Sequence, residues 1–207
     1  SYAGQAVVMT YPLIGNYRIA KDDYEADSPS MGALIVREYN NEPSNFRSIA
    51  ALEEIMKKYN ISGVYGADTR KLNRSIRNFG SRKALITDVS VPLREGLEKI
   101  KNFDFPHDLV SRVSCKEVHE DFAEKELFNV AAIDCGMKKN IIRSLIQRNC
   151  HVIIVPYDTP AEKIMSLKPD GVFISNGSGD PNDVPETINT VKNLLGMYPI
   201  FGICLGH

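Results

Sequence analysis

The stretch Tyr198-Pro199-Ile200-Phe201-Gly202-Ile203-Cys204-Leu205-Gly206-His207 sets an apolar run, Ile200 to Ile203, directly ahead of a cysteine in a G-x-C-x-G frame. The run reads as a buried strand and the frame as a nucleophile elbow, a strand-to-helix turn too tight for side chains at its flanks. Gly202 and Gly206 therefore bracket Cys204 and lift its sulfur above the strand ends. A helix N-terminus beyond the turn would favour the thiolate, and the Leu205 amide could donate to a developing oxyanion. An elbow nucleophile also needs a base. That base is expected outside these 207 residues, and both ends of the chain read as cut.

Working back from the elbow, short apolar runs alternate with amphipathic ones. Strands are expected at residues 129–134, 151–156, 171–175 and 200–204, with helices at 138–148, 161–167 and 185–195. Repetition at this spacing predicts right-handed crossovers and a parallel sheet, whose ligands sit outside the carboxyl ends of the strands. Three loops leave those ends: Asp134-Cys135-Gly136, Asn176-Gly177-Ser178-Gly179-Asp180-Pro181 and the elbow. The second is too short for a nucleotide P-loop and lacks its Lys. Its glycines let backbone amides approach a substrate, which makes it the natural second oxyanion donor. Cys135 and Cys150 read as small buried residues and Cys115 as incidental.

The first half is patterned differently. Strands are expected over 5–11, 33–39 and 83–89, a helix capped by Ser48 over 48–59, and a Pro-initiated helix within 91–102. A further helix opens at Asp68 or Thr69 and closes at Gly80, with Leu72, Ile76 and Phe79 as its buried stripe and Arg70, Arg74 and Arg77 as a solvated face. His107 and His119 read as packing residues. The charged run 114–126 has no clear period and reads as a linker, so domains are drawn at 1–126 and 127–207. The fold class is α/β: a mixed N-terminal domain followed by the first part of a parallel-sheet domain.

Composition excludes several function classes. With 207 residues, 43% hydrophobic and 25% charged, the chain can bury a core. A formal charge of -1 gives no overall field to gather nucleic acid or a membrane surface. Four cysteines without C-x-x-C spacing, and only four histidines, point to neither a metal site nor a disulfide framework. A cytoplasmic location is expected, with organelle targeting left open by a start lacking Met.

These residues carry a resemblance. The elbow and the Asn176–Pro181 loop resemble the class I glutamine amidotransferases, which hydrolyse glutamine with a Cys-His-Glu triad. Thr10-Tyr11-Pro12-Leu13-Ile14-Gly15-Asn16-Tyr17 and Gly66-Ala67-Asp68-Thr69-Arg70-Lys71-Leu72 resemble the leading domain of the small subunits of carbamoyl-phosphate synthetases. Asp134-Cys135-Gly136-Met137-Lys138-Lys139-Asn140-Ile141 is similar to the start of their amidotransferase domain. The resemblance implies that Cys204 attacks L-glutamine, that the Leu205 and Gly177 amides hold the oxyanion, and that Ser1, Gly177, Gly179 and Leu205 contact glutamine. It implies further that the ammonia passes to a large synthetase subunit, or a fused synthetase domain. That partner uses bicarbonate, ATP and Mg to make carbamoyl phosphate for arginine and pyrimidine biosynthesis, while this chain binds no cofactor. Ser178 stands where the family usually has Pro. The triad His and Glu match nothing here, and His207 is not the family's base, so these residues alone are expected to be inactive. Three other readings compete: another class I amidotransferase, an α/β-hydrolase with a Cys nucleophile, and a non-catalytic scaffold docking to a synthetase through the Arg-bearing helix.

Overall fold

The computed structural model describes residues 2–15, 24–40 and 51–207; Ser1, Asn16, Tyr17, Arg18 and Ser48 lie outside the described residues. The chain forms two compact units, one of Tyr2–Tyr24 with Ser28–Pro106, the other of His107–His207 with Glu25–Asp27.

In the first unit, β1 (Ala6–Val8), β3 (Ala33–Ile35) and β5 (Ser62–Val64) form a parallel sheet in the order β1-β3-β5, while β2 (Leu13–Ile14) pairs with β4 (Glu38–Tyr39). Both leading strands are shorter than their sequence pattern: the first ends at Val8, and the second stops at Ile35 and resumes as β4 at Glu38. Helix α1 (Leu52–Lys58) is closed at its start by the Glu54 carboxylate, which accepts from the Ala51 N–H at 3.1 Å. Helix α2 (Thr69–Phe79) begins as expected: Asp68 Oδ1 accepts from the Lys71 N–H at 3.0 Å, and Gly80, at φ +79°, ends it. Helix α3 spans Leu93–Asn102.

Two expectations for this unit fail. Residues 83–89 form no strand, since an extended segment becomes one only with a ladder partner, and none pairs with it among the described residues. The α2 stripe of Leu72, Ile76 and Phe79 is not buried; Phe79 is 70% exposed, and only Thr69 of this helix is buried.

The second unit holds α4 (Leu109–Val113), β6 (His119–Asp121), β7 (Phe128–Asp134), α5 (Lys139–Ile146), β8 (Cys150–Pro156), α6 (Ala161–Ser166), β9 (Gly171–Ile174), α7 (Pro185–Leu194) and β10 (Ile200–Gly202). Its sheet runs β10-β9-β7-β8-β6, parallel except for β6. Period-two alternation sorts the side chains. Ala131, Ile133, Ile153, Val155, Val172 and Ile174 face Ile164 of α6 and Leu194 of α7, whereas Ala132, Val152, Ile154 and Phe173 face Ile141, Ile142 and Leu145 of α5. Full burial of Ile133, Ile154, Ile164 and Leu194 contributes roughly 1.5–3 kcal/mol each.

The charged run 114–126 is not a bare linker. Its residues His119–Asp121 pair antiparallel with β8, held there by His151, which meets Glu120 Oε2 at 3.0 Å and stacks on Phe122. The last strand also differs from expectation. β10 is an edge, so Phe201 is 65% exposed rather than buried.

Candidate active site

The chain passes from β7 to β8 on one side and then crosses to β9 on the other, so the topological switch lies between β7 and β9. Open α/β sheets bind ligands at such a point, outside the carboxyl ends of the strands. All three loops singled out from the sequence leave β7, β9 and β10 on that side.

Cys204 sits at φ +57°, in the left-handed region that costs a residue bearing a Cβ about 1–3 kcal/mol. The turn is anchored by the Ile203 N–H, which donates to Ile174 O at 3.1 Å, and closes as one 3₁₀ turn, Cys204–Gly206. Its glycines are sterically required. A Cβ on Gly202 would lie 2.0 Å from Gly206 O, and one on Gly206 would lie 2.4 Å from Ile174 O. The thiol is exposed.

The second loop touches the elbow. A Cβ on Gly177 would come within 2.3 Å of Leu205 Cδ2 and 2.6 Å of Cys135 O, so only glycine lets the loops close on each other. Among the described residues, neither the Gly177 nor the Leu205 N–H donates to a backbone carbonyl. Asn176 ties this loop to the first one: its Nδ2 donates to Gly136 O at 2.9 Å, and its Oδ1 accepts from the Lys138 N–H at 3.2 Å. Ser175 Oγ accepts from the Cys135 N–H and donates to Asn176 O.

Buried Asp134 organises the first loop. It accepts N–H groups from Gly136 (2.8 Å) and Met137 (2.7 Å) through Oδ1, and from Cys115 (2.7 Å) through Oδ2. Burial, reinforced by the Asp134 charge, pushes both the Cys115 and the Cys135 thiols up to about 12, and burial also raises Cys150. These three thiols are held in the unreactive form.

Of the expected site residues, Cys204, Leu205 and Gly177 come together, Gly179 (φ +90°) follows in the same loop, and Ser1 lies outside the described residues. Two contributions escaped the sequence reading. One is Asp134, for which an Asp at a strand end before Gly was the available signal. The other is His107, expected to be a packing residue, whose Nδ1 lies 2.6 Å from Asp183 Oδ1, just past the second loop. Among the described residues there is no group of three or more His, Cys, Asp or Glu set to hold a metal, and no helix long and apolar enough to cross a membrane.

The first unit carries a cleft of about 620 Å³ lined by Arg37, Arg70, Arg74 and Arg77 with Thr10 and Asn73. Arg37 reaches Glu38 only at 4.0 Å, and the other three arginines form no ion pair among the described residues.

Comparison with known proteins divides the chain in the same sense. Residues 1–86 match the family described as carbamoyl-phosphate synthase small chain, CPSase domain, and residues 131–207 match glutamine amidotransferase class-I. Over all 207 residues the chain is 47% identical to the carbamoyl phosphate synthase small chain of Bacillus caldolyticus. It is 45% identical to the pyrimidine-specific small chain of Bacillus subtilis and 44% to the small chain of Staphylococcus epidermidis. In each case it spans 56% of the relative's length.

Proposed function

Because the chain belongs to the carbamoyl-phosphate synthase small-chain family, we propose that it carries the glutamine-attacking thiol of such a synthase. Cys204 Sγ, as thiolate, adds to the side-chain carbonyl carbon of glutamine, and the Leu205 and Gly177 N–H groups receive the negative charge that moves onto oxygen. Collapse of the tetrahedral adduct expels ammonia, with a proton delivered to the leaving nitrogen, and leaves a glutamyl thioester. Water then cleaves the thioester to glutamate and restores the thiol. Ser1, Gly177, Gly179 and Leu205 hold the substrate. In this reaction a His acts as the base and a Glu as its carboxylate partner.

The released ammonia serves a large synthase chain in the cytoplasm, which consumes bicarbonate and Mg-bound ATP to form carbamoyl phosphate for pyrimidine and arginine synthesis; this chain needs no cofactor. The observation that carries the reading is the exposed Cys204 at φ +57°, in a turn whose Leu205 closes against Gly177. Cys204→Ser in the full-length protein, assayed with its large chain, is expected to cut glutamine-dependent carbamoyl phosphate formation by on the order of 10³-fold or more. Ammonia-dependent formation should persist; equal loss of both would overturn the reading.

One further observation bears on the large chain. Helix α2 leaves Leu72, Ile76 and Phe79 exposed and adds three arginines that form no ion pair among the described residues. Arginine beside exposed aromatic and aliphatic side chains is the make-up of a protein interface. α2 is therefore the surface proposed to dock the large chain, with acidic residues opposite it.

A further inference from the structure

We infer that His107 and Asp183 form a clamp that positions the glutamine-binding loop, so that the segment leading into α4 belongs to the substrate site. The inference rests on reading Gly177–Gly179 as that loop. His107 Nδ1 meets Asp183 Oδ1 at 2.6 Å although 76 residues separate them. The Asp183 carboxylate is the acceptor, so Nδ1 carries the proton. Asp183 ends the 3₁₀ turn Pro181–Asp183, into which the loop runs directly. Asp180 Oδ1 fastens the other end of this turn, accepting from the Asn182 N–H at 2.8 Å and from its Nδ2 at 2.9 Å.

Gly179 immediately precedes this turn. A Cβ placed on it would stand 3.8 Å from Asp183 Oδ2 and 3.6 Å from Leu109 Cδ1. The nearest neighbours on the side where a side chain would stand are thus Asp183 and Leu109, which is two residues beyond His107. Leu109 is rooted in turn, since its neighbour Val110 is buried in the core of the unit. Gly179, at φ +90°, has no side chain of its own to fix its peptide planes, and the proposed clamp holds the neighbouring Asp183 in place. His107 is 79% exposed and Asp183 20%, an exposure at which an ion pair adds little to overall stability. The clamp therefore acts on loop position, and its signature is binding rather than melting temperature.

The test uses the full-length protein with its large chain and measures glutamine hydrolysis. His107→Ala is expected to raise the KM for glutamine by about 3- to 10-fold, with kcat within about 2-fold of the parent and the melting temperature unchanged. His107→Asn, whose Nδ2–H can replace Nδ1–H, should recover most of the parental KM. Should His107→Ala fail to fold, Asp183→Asn, which keeps the shape but weakens the acceptor, is expected to raise KM in the same way. An unchanged KM in these variants overturns the clamp and leaves the glutamine reading standing. A parent protein that hydrolyses no glutamine overturns that reading, and the clamp with it.

Discussion

Burial and the neighbouring Asp134 carboxylate push Cys115 and Cys135 up to about 12, so at a given pH each holds roughly a thousandfold less thiolate than an ordinary cysteine. Cys204, by contrast, is exposed to solvent. Iodoacetamide at pH 8 is expected to modify Cys204 first and to leave Cys115 and Cys135 intact until the fold opens, as peptide mass mapping would record; earlier loss of Cys135 would contradict the burial argument. The raised values also carry a stability consequence with a definite sign. The folded state favours the protonated thiols, so their contribution is complete below the ordinary thiol pKa and is lost as pH climbs from about 9 towards 12. At this scale the sequence was readable where sterics are local. G-x-C-x-G states in five residues that two Cβ atoms cannot be accommodated, and the distances at Gly202 and Gly206 bear this out. His107 was unreadable for the opposite reason, because its partner lies 76 residues away and no spacing rule links them.

At the scale of elements, the elbow is a turn in which backbone meets backbone. A Cβ on Gly206 would meet Ile174 O and C at 2.4 and 2.7 Å, atoms that belong to β9 and cannot swing aside as a side chain would. Gly206→Ala is expected to destabilise the second unit by about 1–3 kcal/mol and, on the proposed function, to abolish glutamine hydrolysis even where the protein remains folded. Thermal melts and a glutamate-release assay would check the two effects separately, and retained turnover would show that the turn can relax. Strands β7 and β8 were legible because each is covered on both faces and reads as a continuous apolar run. Residues 83–89 carry the same kind of run without a ladder partner among the described residues, and propensity cannot reveal whether a partner exists. The α2 boundaries were legible from Asp68 and Gly80, yet the environment of its apolar stripe was not. Periodicity shows which residues share a face, but not what covers that face.

Over the whole molecule, the net charge of -1 conceals an uneven distribution, since four arginines line one cleft of the first unit. If α2 docks the large chain, Arg74→Glu should weaken association by about tenfold, more at low salt than at high, with glutamine hydrolysis by the small chain little changed. Analytical ultracentrifugation at two ionic strengths would measure this, and unaltered association would remove α2 from the interface. The alternation of strands and helices over 129–204 announced the parallel sheet, but it did not announce the antiparallel β6, drawn from a charged run whose pairing depends on His151, Glu120 and Phe122 meeting in space.

The positive φ at Cys204 also narrows the side-chain alphabet at that position. A branched Cβ is disfavoured there, so threonine, though a competent nucleophile elsewhere, has no easy place in this turn. Directed evolution of the site would have to search among unbranched side chains, with serine as the nearest oxygen analogue, unless the turn itself were rebuilt.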